Sequence, residues 1–453
     1  MLRYLIFLAA VLIPCFGFAE ERDSLIGKYI VLKPSAVLVK DSETVDVRFQ
    51  MMPARVDDVH DDRVWLGRSW AKKADVMGPD EAIVFCDEQL KGDPKNPKLW
   101  RLRGVSWIAK EEYVKAAHDL DEAIRHDSNF AEAFVDRGHA KAAEGDYKAA
   151  LEDFASAIRL DPKSPCTYCV RGFFRSVEGA FEEAVSDCDH AIELDPECAD
   201  AFKLRGDLAA IQKDYGTAIK NYTEAIQHNP KYAGAYRHRA VCRTINQDLE
   251  EAFGDCEVAI QLDSQDASAY CTRGCCWFAK QDFEKAIADF SESIRLNAAG
   301  SESQMMRGMM YELHGSSKQA LEDYEAVLRI DPTSLSSRLN VAFLLATCSD
   351  PEVRDGKKAI DVAMTACMST DWKNDAAIAA LAAGYAEEAN WKSAIHYQTK
   401  ALEIAAVEKR ERRQEALQLY ESHRPLRFTK QQLLRMFRLK ISIELPMLGD
   451  LVQ

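Results

Sequence analysis

AEAFVDRGHAKAAEGDYKAALEDFASAIRLDPKS, residues 131–164, decides the fold. Apolar and small residues recur three and four apart from Ala133 to Ala143 and again from Ala149 to Leu160, the spacing of one helix face. Between them Glu144-Gly145-Asp146-Tyr147 makes a turn. Asp161-Pro162 stops the second helix, because proline has no N–H to continue the ladder. The stretch is one helical hairpin, and it recurs. Arg103-Gly104, Arg137-Gly138, Arg171-Gly172, Arg205-Gly206, Arg239-Ala240, Arg273-Gly274 and Arg307-Gly308 stand 34 residues apart. A fixed period of this length stacks a hairpin on copies of itself, each burying its apolar face against the next.

The array starts with a partial unit, Glu81 to Leu90, that matches only a second helix. Seven full units follow, from Pro97, Ala131, Pro165, Ala199, Ala233, Ala267 and Ser301. Gly stands at the eighth place except at Ala240. Ala holds the twentieth place throughout: Ala116, Ala150, Ala184, Ala218, Ala252, Ala286 and Ala320. With an aromatic residue at the fourth and twenty-fourth places and Pro at the thirty-second, this pattern resembles tetratricopeptide repeats. Gln304 departs from it at the fourth place, and Ser128, Ser264 and Ala298 replace the Pro. An eighth unit is degenerate. Its helices, Ser337 to Thr347 and Lys357 to Met368, are separated by a lengthened turn at 349–356, and a last regular hairpin runs from Ala376 to Ala405. The resemblance implies an all-α, right-handed superhelical solenoid. The array occupies 78–334, and the degenerate unit and final hairpin occupy 335–405.

In front, residues 20–77 hold short runs of β-branched and aromatic residues, such as Tyr29-Ile30-Val31-Leu32 and Val45-Asp46-Val47-Arg48-Phe49, which read as strands. The ending Gly67 to Val76 resembles the last strand of a bacterial SH3-like barrel. A β cap on the first hydrophobic face of the array is the other reading of this module. Residues 1–19 carry Arg3, an apolar stretch from Leu5 to Ile13 and small residues up to Ala19. That is the layout of a cleavable export signal, so the chain is expected in the periplasm or cell envelope.

Two sets of residues stand out. The repeated Arg of the first helix is answered on the second by Asp119, Asp153, Asp187, Asn221, Asp255, Asp289 and Asp323. The helices are antiparallel about a turn near the fifteenth place, which puts the seventh and twenty-third places at one height. A structural ladder is expected of Arg137, Arg171, Arg205, Arg239, Arg273 and Arg307 with these partners, within or between hairpins. The second set is implied by the resemblance. Such arrays line their concave face with the first helix, notably its fifth and ninth places. These hold Arg101 and Val105, Val135 and His139, Cys169 and Phe173, Lys203 and Asp207, Arg237 and Val241, Cys271 and Cys275, and Met305 and Met309. The Lys and Asn that clamp a carboxylate in some relatives are missing. The row turns apolar and sulfur-rich towards its end, which suits a peptide.

Composition narrows the function. A net charge of −15 argues against broad nucleic-acid binding, which needs a basic surface. From Val407 to Lys440 the sign reverses, with ten basic and four acidic residues. This tail reads as an end-capping helix or as a contact for acidic lipid headgroups or an acidic partner. Of 13 cysteines, Cys86, Cys188, Cys242, Cys256 and Cys276 fall in slots where other repeats place large apolar residues. They are expected as buried free thiols. Cys271, Cys275, Cys276, Met305, Met306, Met309 and Met310 are soft donors that would suit Cu(I). Neighbouring helices lie about 10 Å apart, too far for most pairs to share an ion. No metal and no cofactor is expected. There is no Gly-rich phosphate loop, no nucleophile elbow and no His-Glu-x-x-His, so the chain reads as non-enzymatic. The expected function is a protein–protein interaction scaffold or adaptor of the envelope. The alternative is a cell-wall or glycan-binding protein that uses the β module, with the array as spacer.

Overall fold

The computed structural model describes residues 76–298 and 300–434 with their side chains, that of 408 excepted, and ahead of them the backbone of short strands between 29 and 72. The signal expected at 1–19, Cys15 and the end of the tail from 435 lie outside the described residues, as does most of 20–75. No described helix is long and apolar enough to cross a membrane. The chain divides at Pro230 into two compact units.

The first unit opens on antiparallel strands. β1 (Tyr29–Leu32) pairs with β4 (Ala54–Arg55) and β8 (Val76–Met77). β2 (Leu38–Lys40), β3 (Glu43–Val45), β5 (Asp58–His60), β6 (Arg63–Trp65) and β7 (Trp70–Lys72) order as β3-β2-β7-β6-β5. Among the described residues β4 and β8 edge one set and β3 and β5 the other. The closed SH3-like barrel expected from 67–76 is therefore not formed by these pairings. Met77 packs with Ala82, Cys86, Leu102 and Val105, so the last strand covers the open apolar face of the first helices. An uncapped repeat array exposes such a face.

Helix α1 (Pro79–Gly92) is the lone second helix of the partial unit. Four hairpins follow: α2 (Pro97–Ala109) with α3 (Tyr113–His126), α4 (Ala131–Ala143) with α5 (Tyr147–Leu160), α6 (Pro165–Val177) with α7 (Phe181–Leu194), and α8 (Ala199–Ile211) with α9 (Tyr215–His228). The turn between paired helices is the same device each time. Its fifteenth-place residue is left-handed, with φ of 61° at Glu111, 87° at Gly145, 80° at Gly179 and 63° at Lys213. That conformation ends a helix by turning the chain back on itself. Asp146 and Asp214 then accept the N–H of Ala149 and Thr217, both at 3.0 Å, and so cap the second helix.

Small residues set the helix spacing. A Cβ on Gly138 would lie 2.6 Å from the Phe154 ring, and one on Gly206 2.7 Å from Tyr222. The aromatic residue at the twenty-fourth place thus lies directly on the backbone of the first helix. Ala116, Ala150, Ala184 and Ala218 have no exposed surface. The second unit shows the rule from its exception. Where the eighth place carries Ala240, the twenty-fourth carries the small Cys256 and not a ring, and both sit in one buried cluster. The small sulfur leaves room for the Cβ of Ala240, where a ring would collide with it.

The second unit continues with α10 (Ala233–Asn246) and α11 (Leu249–Leu262), α12 (Ala267–Ala279) and α13 (Phe283–Leu296), α14 (Ser301–His314) and α15 (Ser317–Ile330), α16 (Leu335–Thr347) and α17 (Gly356–Ser369), α18 (Asp375–Glu387) and α19 (Trp391–Ile404), and ends on α20 (Val407–Glu421). In the lengthened turn of the degenerate pair, Arg354 donates to the carbonyls of Cys348 and Ser349 at 3.0 and 3.1 Å, while Val353 is buried. Helix α20 closes the stack. Arg413 holds Asp375 of α18 at 2.7 Å, and Tyr420 is buried with Ala382, Ala386 and Ala394. The first part of the basic tail is therefore an end cap.

Candidate functional site

The Arg–Asp pairs form within each hairpin. Arg137 donates through Nε and Nη2 to the two carboxylate oxygens of Asp153, at 2.9 and 2.6 Å. Arg103–Asp119, Arg171–Asp187, Arg239–Asp255, Arg273–Asp289 and Arg307–Asp323 repeat this fork. Arg205 meets the neutral Asn221 at 2.7 Å. Arg is suited to this place because its planar fork matches a carboxylate bidentately. The bond to Asp119 pushes the Arg103 guanidinium above its already high range.

Sequence reasoning missed three further parts of the ladder. The remaining Nη1 of Arg103, Arg137, Arg205 and Arg307 reaches back to the preceding hairpin, to Asp87, Asp121, Asp189 and Ser291 respectively. Each of these Arg residues therefore ties two hairpins. Each guanidinium also lies over an aromatic ring, at 5.2 Å for Arg137 on Phe134 and 5.3 Å for Arg205 on Phe202. Where Gln304 displaces the fourth-place aromatic, Arg307 uses Tyr311 at 5.7 Å. The third part is a second cation on the same carboxylate: Lys141 on Asp153, Arg175 on Asp187 and Arg243 on Asp255. A basic residue four places after the repeated Arg was the available signal, since that spacing shares a helix face.

The expected groove is only partly a surface. Its ninth places Val105, Asp207, Val241, Cys275 and Met309 are buried, and so are Arg101, Cys169 and Cys271 at the fifth. Arg101 is 4% exposed, and its Nε binds Asp136 of the next first helix at 2.5 Å. Asp207 accepts from the Tyr222 hydroxyl at 2.9 Å and from Lys203 at 2.7 Å. These residues are covered in this structure and pack between helices, so they are not the open groove surface expected of them. Val241 packs with Cys271 and Cys275 of the next first helix, while Val105 packs with Met77 and with Ala82 and Cys86 of α1. Val135, His139, Phe173, Lys203, Arg237 and Met305 stay partly exposed. His139 is wedged between Phe154 and Phe174 at 5.4 and 6.0 Å, and its burial holds the imidazole below its usual range.

The sulfur-rich end is core. Cys271, Cys275, Met306, Met309 and Met310 belong to one buried cluster with Phe278, Leu313 and Leu344. The twelve described cysteines are free thiols, and all but Cys166 are buried. Burial pushes the thiol of Cys86 up to about 12 and that of Cys367 to about 11. A thiol that is neither ionised nor accessible does not react. We expect maleimide on the native full chain to label Cys166 and to reach Cys86, Cys188, Cys242, Cys256 and Cys276 only after unfolding, as read by peptide mass spectrometry. Labelling of Cys86 as fast as Cys166 would show that the slot is open.

Stacked hairpins, six of them locked by an internal Arg–Asp pair, define a helical repeat array. The tetratricopeptide-repeat family model matches residues 108–165, 214–267 and 278–334, and these stretches are similar to tetratricopeptide repeats. No curated protein matches the chain. Among solved structures, yeast Tom70 is 14% identical, with 81% of this chain and 94% of that chain covered at a TM-score of 0.39. PilF of Pseudomonas aeruginosa is 16% identical over 46% and 95%, with a TM-score of 0.41. YrrB, described as a TPR protein with an unusual peptide-binding site, is 19% identical over 41% and 96%, with a TM-score of 0.34. None of them lends this chain a partner.

Proposed function

We propose that the chain is a non-enzymatic interaction scaffold whose first helices present a peptide or partner helix with a binding row, and that it works after export to the cell envelope. One observation carries the reading. In each unit the ladder occupies the inner faces of the regular hairpins, yet Val135 and Lys203 in the first unit and Arg237 and Met305 in the second hold the fifth place of their repeats and keep exposed surface. Mixed charge and apolar surface at a repeating interval is what an extended or helical segment can read. Export rests on the layout of residues 1–19.

The test is a photoreactive side chain placed in the full chain at Val135, Lys203 or Met305. The same group is placed at Val114 and Met368, which lie on second helices with 74% and 57% exposure. Adducts with one partner from the first-helix positions alone support the reading, and adducts from Val114 or Met368 alone overturn it. Adducts only from positions within 24–77 would favour the glycan- or wall-binding alternative. Fractionation of cells making the full chain tests the compartment, and recovery of an unprocessed chain from the cytosol would reject export.

A further inference from the structure

Residues 425–434, after α20, stay against the protein. Helix α20 ends at Glu421, and from Pro425 the chain travels back along the second unit towards its earlier hairpins. Arg427 donates to the carbonyl of Ala346 at the end of α16, at 3.1 Å, and to the carboxylate of Glu387 on α18. The Phe428 ring lies 6.0 Å from Phe343, at the ninth place of its unit, and Lys430 stands 5.2 Å above the ring of Phe283. Leu433 is buried in the cluster that holds Met309, Phe278 and Leu344, with Phe428 and Leu434 packed against it. Thr429 and Gln432 cap a new helical turn reciprocally. The Gln432 N–H donates to Thr429 Oγ1 at 3.2 Å, and the Thr429 N–H to Gln432 Oε1 at 2.9 Å. This is a capping box, and the Leu433 N–H follows it to the Thr429 carbonyl at 3.0 Å.

We propose that this face of α12 to α18 is a peptide-binding site, and that residues 425–434 are its built-in occupant and competitor. The ligand chemistry is written in the occupant. An Arg meets a carboxylate and a helix-end carbonyl, an aromatic residue follows it, a cation covers a ring, and paired leucines enter a sulfur-rich apolar floor. The partner it fits is a segment with that pattern that begins a helix at the same point. A simple cap would have been complete at α20, where Arg413 and Tyr420 already close the stack. The strap instead reaches from α18 back to α13, and its sign, basic against Glu387, is opposite to that of the chain as a whole. A tethered occupant acts at an effective concentration of about millimolar. A free peptide is therefore weakened by the fraction of chains whose strap is docked.

This inference rests on the first-helix face being a binding surface, and the experiment separates the two. The probe is a fluorescent synthetic peptide, RPLRFTKQQLL, with the sequence of residues 424–434, followed by anisotropy. The hosts are the full parent chain and the full chain carrying Phe428→Asp and Leu433→Asp. The released variant is expected to bind the peptide at least tenfold more tightly than the parent. Adding Phe343→Asp to the released variant is expected to abolish the gain, and so is a peptide with alanine for its second Arg and its Phe. A milder variant, Arg427→Ala, keeps the apolar contacts and is expected to show a smaller gain in the same direction, so the test does not hang on one substitution. Equal binding, or none, by the parent and both strap variants, all retaining parental circular dichroism, overturns the proposal. If a cellular partner crosslinks at Met305 equally in parent and released variant, the scaffold reading survives and the strap falls. If the peptide binds the released variant while no partner crosslinks, the reverse holds.

Discussion

Asp255→Leu is expected to destabilise the second unit by about 3–5 kcal/mol, the range for removing one member of a buried ion pair. Asp255 accepts from Arg239 Nε and Nη2 at 2.9 and 2.6 Å, and from Arg243 Nη1 at 2.6 Å. Arg239 is 9% exposed, so the loss takes the carboxylate away from a largely desolvated guanidinium. Arg243 is more exposed and recovers hydration. The converse replacement at the neutral rung should be mild. Arg205→Leu removes bonds to Asn221 and Asp189 from a side chain that is 31% exposed, and about 1 kcal/mol is expected. A double variant, Arg239→Met with Asp255→Leu, should recover much of the loss, because two apolar groups need no partner. Stability in arrays is a sum of local terms, so a single global midpoint is a poor readout. Hydrogen exchange is the measurement: amides of α10 and α11 should open earlier in Asp255→Leu while those of α18 and α19 keep their protection. Parental protection in α10 and α11 would mean that the rung holds nothing.

The ladder was legible because both of its partners recur with the period, and because the turn at the fifteenth place fixes their relative height. No neighbour had to be known. Everything that needed a neighbour was illegible. The backward bond from Arg137 to Asp121 depends on how one hairpin lies on the previous one. So does the burial of Arg101 against Asp136, two residues whose charges read equally well as surface. The ninth places were assigned to a groove by resemblance, and Val105, Val241 and Met309 turned out to be buried, Val105 among Met77 and residues of α1 and Met309 in the cluster that Leu433 joins. The pairing of Ala240 with Cys256 was visible only as two separate departures from pattern; that the small sulfur makes room for the Cβ needed the packing. In the front module, short β-branched runs gave strands at Tyr29–Leu32 and Arg63–Trp65, but closure depends on which edges meet, and period-two alternation does not encode that. The return of residues 425–434 was the largest omission. Pro425, a basic stretch and paired leucines marked a segment with chemistry, but nothing in a linear pattern says that a tail turns back.

Met309→Glu is expected to cost about 4 kcal/mol at neutral pH, while Met305→Glu, on the same helix one turn away, should cost about 1 kcal/mol or less. Met309 is 2% exposed, inside a cluster closed by Leu344, Leu433 and Phe278. A carboxylate there loses its hydration and gains no donor. Burial raises the folded-state pKa of such a group above the ordinary carboxyl value of about 4.3. The unfolded chain then releases its proton first. The penalty is therefore absent at low pH, appears as pH rises above that ordinary value, and saturates once pH passes the raised folded value. Thermal unfolding of Met309→Glu should approach the parent near pH 4 and diverge from it towards pH 7, with no such divergence for Met305→Glu. Met305 keeps exposed surface, and Asn340 Nδ2 already donates to its sulfur at 3.1 Å, so a carboxylate there keeps both water and a donor. The contrast also reads the strap. Leu433 is part of what closes the cluster over Met309, so releasing the strap opens a path for water to that side chain. With Phe428→Asp and Leu433→Asp as background, the added penalty of Met309→Glu should shrink. An unchanged penalty would mean that the helices alone bury Met309 and that residues 425–434 cover nothing a partner could use.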